Sequence, residues 1–206
     1  MSDGLVRDES IGIFVAGHET TARTLAFLWY ALSENRDVSA RLQSELDAVL
    51  PRDQSPTLEH LERLPYMDRC LREVLRLYPP APALPRDPIT DQVLGDKRVP
   101  AGTFVLVLPY ATHRHPAFWD EPERFDPDRF LPEREAERHP YAYYPFGAGN
   151  RICLGNSFAL LEARILTALL ARRFSARLVP GHRPQIEARG TLMVRNGLPM
   201  QIQRRA

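Results

Sequence analysis

The adjacent prolines Pro79 and Pro80 divide this chain into two regimes. Proline lacks the N–H that a helical ladder needs and pushes its predecessor toward extended backbone, so no helix runs through the pair. Before them the apolar residues keep a helical period. Ile11, Phe14, Val15, Ala22, Leu25, Trp29 and Leu32 predict one long helix with a buried face, starting close to residue 1. Val38, Leu42, Leu46 and Val49 predict a second, stopped by Pro51, and "TLEHLERL" a short third with Thr57 as N-cap. Residues 66–78 complete the set as a fourth helix between Pro65 and Pro79.

Beyond Pro80 the period changes. The segment "VLGDKRVPAGTFVLVLPY" predicts a small hairpin sheet, with turns at Gly95–Asp96 and Pro100–Gly102 and a β-rich run from Phe104 to Leu108. From Pro109 to Pro145 a proline falls every five to eight residues, which predicts a long meander without regular structure. Phe118, Trp119, Phe125 and Phe130 argue that it is packed, not disordered. A last long helix over residues 157–174 and short closing strands make the whole a mainly α chain with small β-sheets.

With 206 residues, 44% of them hydrophobic, one domain is the natural reading. The 27 basic and 26 acidic residues nearly cancel, so no bulk charge argument favours nucleic acid or an anionic membrane. Cys70 and Cys153 are too few for a disulfide framework, and no zinc-type Cys/His quartet accompanies them, which places the chain in a reducing compartment. There is no run of 18 apolar residues and no signal-peptide pattern at the start, so the chain is expected to be cytoplasmic and to carry no membrane segment. Lys97 is the only lysine, a bias that points to a G+C-rich bacterial genome.

The chemistry concentrates in "FGAGNRICLG", residues 146–155. Gly147, Gly149 and Gly155 allow tight turns and close approach to a flat ligand, and Cys153 lies just before the last long helix. Amide N–H groups and the positive helix end there favour a thiolate, the form that binds metal. One thiolate cannot complete a tetrahedral zinc site, but it can be the fifth ligand of a porphyrin iron. A packed cysteine in a glycine-rich turn is the plain alternative.

The pattern F-x-x-G-x-R-x-C-x-G resembles the heme-binding signature of the cytochrome P450 family of heme-thiolate monooxygenases. The resemblance implies heme b bound through Cys153, with Phe146 shielding the sulfur and Arg151 pairing with a heme propionate. Three further stretches agree with it. "AGHETT", Ala16–Thr21, resembles the family's oxygen-binding helix, in which Gly17 leaves room for dioxygen and Glu19 and Thr20 deliver protons. Read alone, Glu19 fits a solvated face equally well. Glu73 and Arg76 match the family's E-x-x-R element, and "FDPDRF" its P-E-R-F element with Asp128 replacing glutamate, which implies a structural network of Glu73, Arg76 and Arg129. Arg86 matches a second propionate-binding arginine, and Ala16, Ala81, Ala83 and Leu84 fall where the family lines its substrate pocket.

Other polar residues gain no role: His18 reads as a packed or solvent-facing histidine, His113 and His115 as surface histidines, and Cys70 as a small packed residue. The resemblance covers about residue 10 onward and corresponds only to the family's C-terminal half. It implies a single incomplete domain over residues 1–206, with the N-terminal portion of the fold absent. It also implies a small, apolar organic substrate, dioxygen, and a separate electron-transfer protein, NAD(P)H electrons arriving through a reductase or ferredoxin. Two rivals stand beside it, a non-catalytic remnant that binds heme weakly or serves only as a binding partner, and, more distantly, a metal-dependent hydrolase.

Overall fold

The computed structural model describes residues 1–51 and 55–205. Helix α1, Asp3–Glu34, starts where Ser2 accepts the Leu5 N–H on its hydroxyl, as an N-cap does. Its buried face is Thr21, Thr24, Phe27, Leu28, Ala31 and Leu32. This corrects the sequence expectation, because Ile11, Phe14 and Val15 keep the helical period but are exposed, Phe14 at 73%. Residues 3–16 are exposed throughout, so over these first turns periodicity marks an apolar face without marking burial.

Helix α2 (Arg36–Val49) turns in Val38, Leu42 and Leu46; α3 (Leu58–Glu62) opens on a capping arrangement in which Thr57 and His60 bond each other's backbone N–H. Helix α4, Pro65–Leu77, starts with proline at its first position, where the missing N–H costs nothing. It is the centre of the molecule. Met67, Cys70, Leu71, Val74 and Leu77 are essentially inaccessible, and α1, α2 and α7 (Asn156–Arg173) pack around them. Each such side chain contributes about 1.5–3 kcal/mol through removal from water.

Among the described residues the strands form four two-stranded antiparallel ribbons. The hairpin turning at Gly95 joins β2 (Gln92–Leu94) to β3 (Lys97–Val99). The expected third member goes elsewhere: β4 (Val105–Val107) pairs with β1 (Leu84–Arg86), Leu84 opposite Val107 and Arg86 opposite Val105. The hairpin between them is an excursion that leaves β1 and β4 adjacent. In the C-terminal part β5 (Phe174–Leu178) pairs with β8 (Met200–Arg204), and β6 (Ile186–Arg189) with β7 (Thr191–Val194).

The meander is more regular than its prolines suggest. Pro109–Thr112 forms α5 and Pro132–Ala136 forms α6, with 3₁₀ turns at Pro127–Phe130 and Pro140–Ala142, and each of the four begins with a proline. Proline ends a helix only when it falls inside one; at the first position it helps to start a turn. Trp119, Phe130 and Ala142 make a second small core here.

Candidate functional site

The loop ahead of α7 is shaped by its backbone. Gly147 and Gly149 have φ of +74° and +66°, values that side chains with a Cβ rarely adopt. Between them and the helix the Cys153 N–H donates to the Phe146 carbonyl at 2.9 Å and closes the loop. Gly149–Arg151 forms one 3₁₀ turn, Gly155 is the N-cap residue of α7, and the Cys153 thiol is exposed. A Cβ placed on Gly147 would touch Leu84 at 3.6 Å, so β1 lies against the loop.

Two buried devices hold the approach to this loop. In the first, every donor of Arg76 is used: Nε and Nη2 bond the two oxygens of Glu73 at 2.7 and 2.8 Å, and the remaining N–H groups bond the carbonyls of His113, Pro122 and Arg124. Glu73 also accepts the Asp126 N–H at 2.8 Å, and Arg129 Nε lies 3.4 Å from it. The network thus joins α4 to five residues of the meander. Asp128, the departure from the family's glutamate, reaches outward to Arg41 of α2 at 2.6 Å and Arg69 of α4 at 3.5 Å.

The second device corrects the sequence reading. His113 is not at the surface; it is wholly buried, whereas His115 is exposed. The Tyr144 N–H donates to Nε2 at 3.0 Å, which leaves the ring proton on Nδ1 to donate to the Arg76 carbonyl at 3.3 Å. Loss of hydration pushes the His113 pKa down to about 4, so the ring is neutral. The side chain turns inward because it follows α5, which delivers it between the end of α4 and Tyr144.

On α1, Glu19 bonds Arg23 one turn along and accepts the Thr191 hydroxyl of β7 at 3.1 Å. Arg23 and Thr191 together hold its carboxyl below the usual range. Thr20 donates its hydroxyl back to the Ala16 carbonyl at 2.8 Å, as threonines inside helices often do. Ala16 is exposed, Ala81 and Ala83 are half-buried, and a Cβ on Gly17 would meet nothing within 4 Å. Arg86 and Leu84 line a cavity of about 440 Å³ that reaches Ala148 of the cysteine loop.

Whether these residues suit an iron porphyrin can be judged from the donors. Among the described residues no three His, Cys, Asp or Glu side chains converge as a metal-holding group, which makes Cys153 a lone protein donor. Around it Ile152, Leu154 (94% exposed) and Phe158 stand in the open. One thiol, apolar side chains and the guanidinium of Arg86, with which no carboxylate among the described residues pairs, are the donor set of a flat, apolar, carboxylate-bearing cofactor.

The architecture is that of a mainly helical heme domain. It superposes on the crystal structure of the cytochrome P450DA heme domain with a TM-score of 0.93 and 34% identity, over 100% of this chain and 46% of that one. The family model described as Cytochrome P450 matches residues 1–204, and the chain belongs to that family. Among relatives, mouse Cytochrome P450 4V2 is 37% identical over 203 residues, 97% of this chain and 38% of that protein. Cyclooctatin synthase of Streptomyces melanosporofaciens is 40% identical over 181 residues, covering 88% and 39%. The chain therefore spans well under half the length of the relatives it matches. They come from mammals as well as bacteria, so the arginine bias alone speaks for a bacterial source. Among the described residues no helix is long and apolar enough to cross a membrane.

Proposed function

We propose that this chain is the heme-binding part of a heme-thiolate monooxygenase, a single incomplete domain whose complete form inserts one atom of dioxygen into a small apolar organic substrate. The observation that carries the reading is the loop itself: two glycines at positive φ and the Phe146–Cys153 bond present an exposed thiol just ahead of α7. In this reading Cys153 would be the protein ligand that holds the iron. Phe146 shields the sulfur, Gly147, Gly149 and Gly155 let the backbone come close to the porphyrin, and Arg86 and Arg151 bind its propionates. Bound there, the heme supplies the activation of dioxygen, with electrons from NAD(P)H delivered by a separate reductase or ferredoxin.

The chain's own residues then move protons and exclude water. Glu19, held by Arg23 and Thr191, is a carboxylate that takes protons from solvent, and Thr20 passes them inward once its hydroxyl turns from the Ala16 carbonyl. Ala16, Ala81, Ala83 and Leu84 supply apolar surface on the substrate side. Glu73, Arg76 and Arg129 keep the loop in place and take no part in the chemistry.

A ferrous CO spectrum of the heme-loaded chain tests this. A red-shifted Soret band is expected, lost in Cys153→Ser; persistence of the band in that variant would give the iron another ligand. One observation favours the rival: Ala16, on the substrate side in this reading, is exposed, as are Ile13 and Phe14 in the turn before it, and a site with an open wall does not retain substrate. On that reading heme binds but reductase-driven turnover is nil, and NADPH consumption with product analysis separates the two.

A further inference from the structure

The cavity of about 440 Å³ beside β1 is lined by Arg86 and also by His139, Tyr141 and Phe118. Arg86 gives one N–H to the neighbouring Pro85 carbonyl at 2.7 Å, and no carboxylate among the described residues pairs with it. A guanidinium lining a cavity without a counter-ion is half of an anion site. His139 supplies the other half. It precedes the 3₁₀ turn Pro140–Ala142 and accepts the Tyr141 N–H on Nδ1 at 3.1 Å. A neutral imidazole whose Nδ1 accepts must carry its proton on Nε2. The backbone therefore selects the tautomer that offers a donor, and Phe118 and Tyr141, with ring centroids 5.9 and 6.1 Å away, flank the ring.

We infer that His139 is a second anchor, beside Arg86, for a carboxylate bound in this cavity. Because the cavity reaches Ala148 of the cysteine loop, the carboxylate it fits is a propionate of the heme, and in that form the inference rests on the proposed function. A small free carboxylate has the same chemistry and is the other source.

The test loads the chain with protoheme or with its dimethyl ester, which lacks both carboxylates, and follows heme release spectrally against excess apomyoglobin. His139→Leu should speed release of protoheme roughly tenfold, the low end of the scale of one hydrogen bond to a charged group, and leave release of the ester unchanged. His139→Gln, which keeps an N–H donor, should stay within about twofold of the parent. Equal acceleration of protoheme and ester would make His139 a packing residue and overturn the inference. In parallel, benzoate is titrated into the heme-free chain while the ring nitrogens of His139 are followed by NMR. Saturable shifts that vanish in Arg86→Leu, with no effect on protoheme release, would support the anchor but assign it to free carboxylates. No effect in either arm would overturn it. If the unmodified chain fails to take up heme through a thiolate, the proposed function falls, and the benzoate arm decides His139 independently.

Discussion

Arg76 can use all five of its N–H donors because a planar guanidinium points them in fixed directions, and Glu73 with three meander carbonyls meets every one. Lysine has the charge but only three donors, so Arg76→Lys should cost on the order of 3 kcal/mol, read as a lowered urea midpoint at unchanged slope. His113 makes a pH-dependent counterpart. Its folded pKa, about 4 against 6.5 for a free ring, means that the folded chain refuses a proton that the unfolded chain accepts. Its contribution is complete above pH 6.5, falls by about 1.4 kcal/mol per unit as pH drops toward 4, and is flat below, roughly 3 kcal/mol in all. Urea titrations from pH 7 to 5 should show this slope, and His113→Gln should flatten it; equal slopes would remove His113 as the cause. The Glu73–Arg76 pair was legible through its match to the family's E-x-x-R element; residues three apart share a helix face, but that spacing alone does not mark the pair as buried. His113 and His115 were not separable in "THRHP", since only the packing of α5 decides which ring turns inward.

At the scale of elements, helices were readable where proline and apolar period agree, and α4 is displaced by only one residue from its expected span. The β1–β4 pair was not, because its register is set across an intervening hairpin and no local pattern encodes such a partner. The same holds for the tie between β7 and α1, in which Thr191 donates to Glu19 across 172 positions of sequence. Next to it the Leu192 N–H donates to the Pro80 carbonyl at 2.9 Å, and the side chain is buried, so this amide reports how firmly the hairpin is seated. Thr191→Val keeps the shape but removes the donor. Exchange of the Leu192 amide should rise about fivefold, the equivalent of one lost hydrogen bond, while amides in the middle of α4 stay unchanged. A uniform rise in both would show general destabilisation and deny the tie a local role.

At the scale of the molecule, one end is a packed helical core and the other is open. Ile11, Ile13, Phe14 and Val15 on α1 and Leu106 on β4 face water, although their sequence patterns are those of buried surfaces. The sequence could show the apolar face but not whether anything covers it; burial is a property of the partner element as much as of the face. Several such residues on one helix end are an aggregation liability, so the heme-free chain should associate with increasing concentration. Replacing Ile13 and Phe14 together by glutamate should suppress that association in sedimentation velocity. Both side chains are already mostly exposed, at 67% and 73%, so the double change should move stability by no more than about 0.5 kcal/mol each. A large loss of stability would instead mean that these side chains are covered within the folded monomer, and the boundary drawn here between packed core and open face would have to move toward the start of α1.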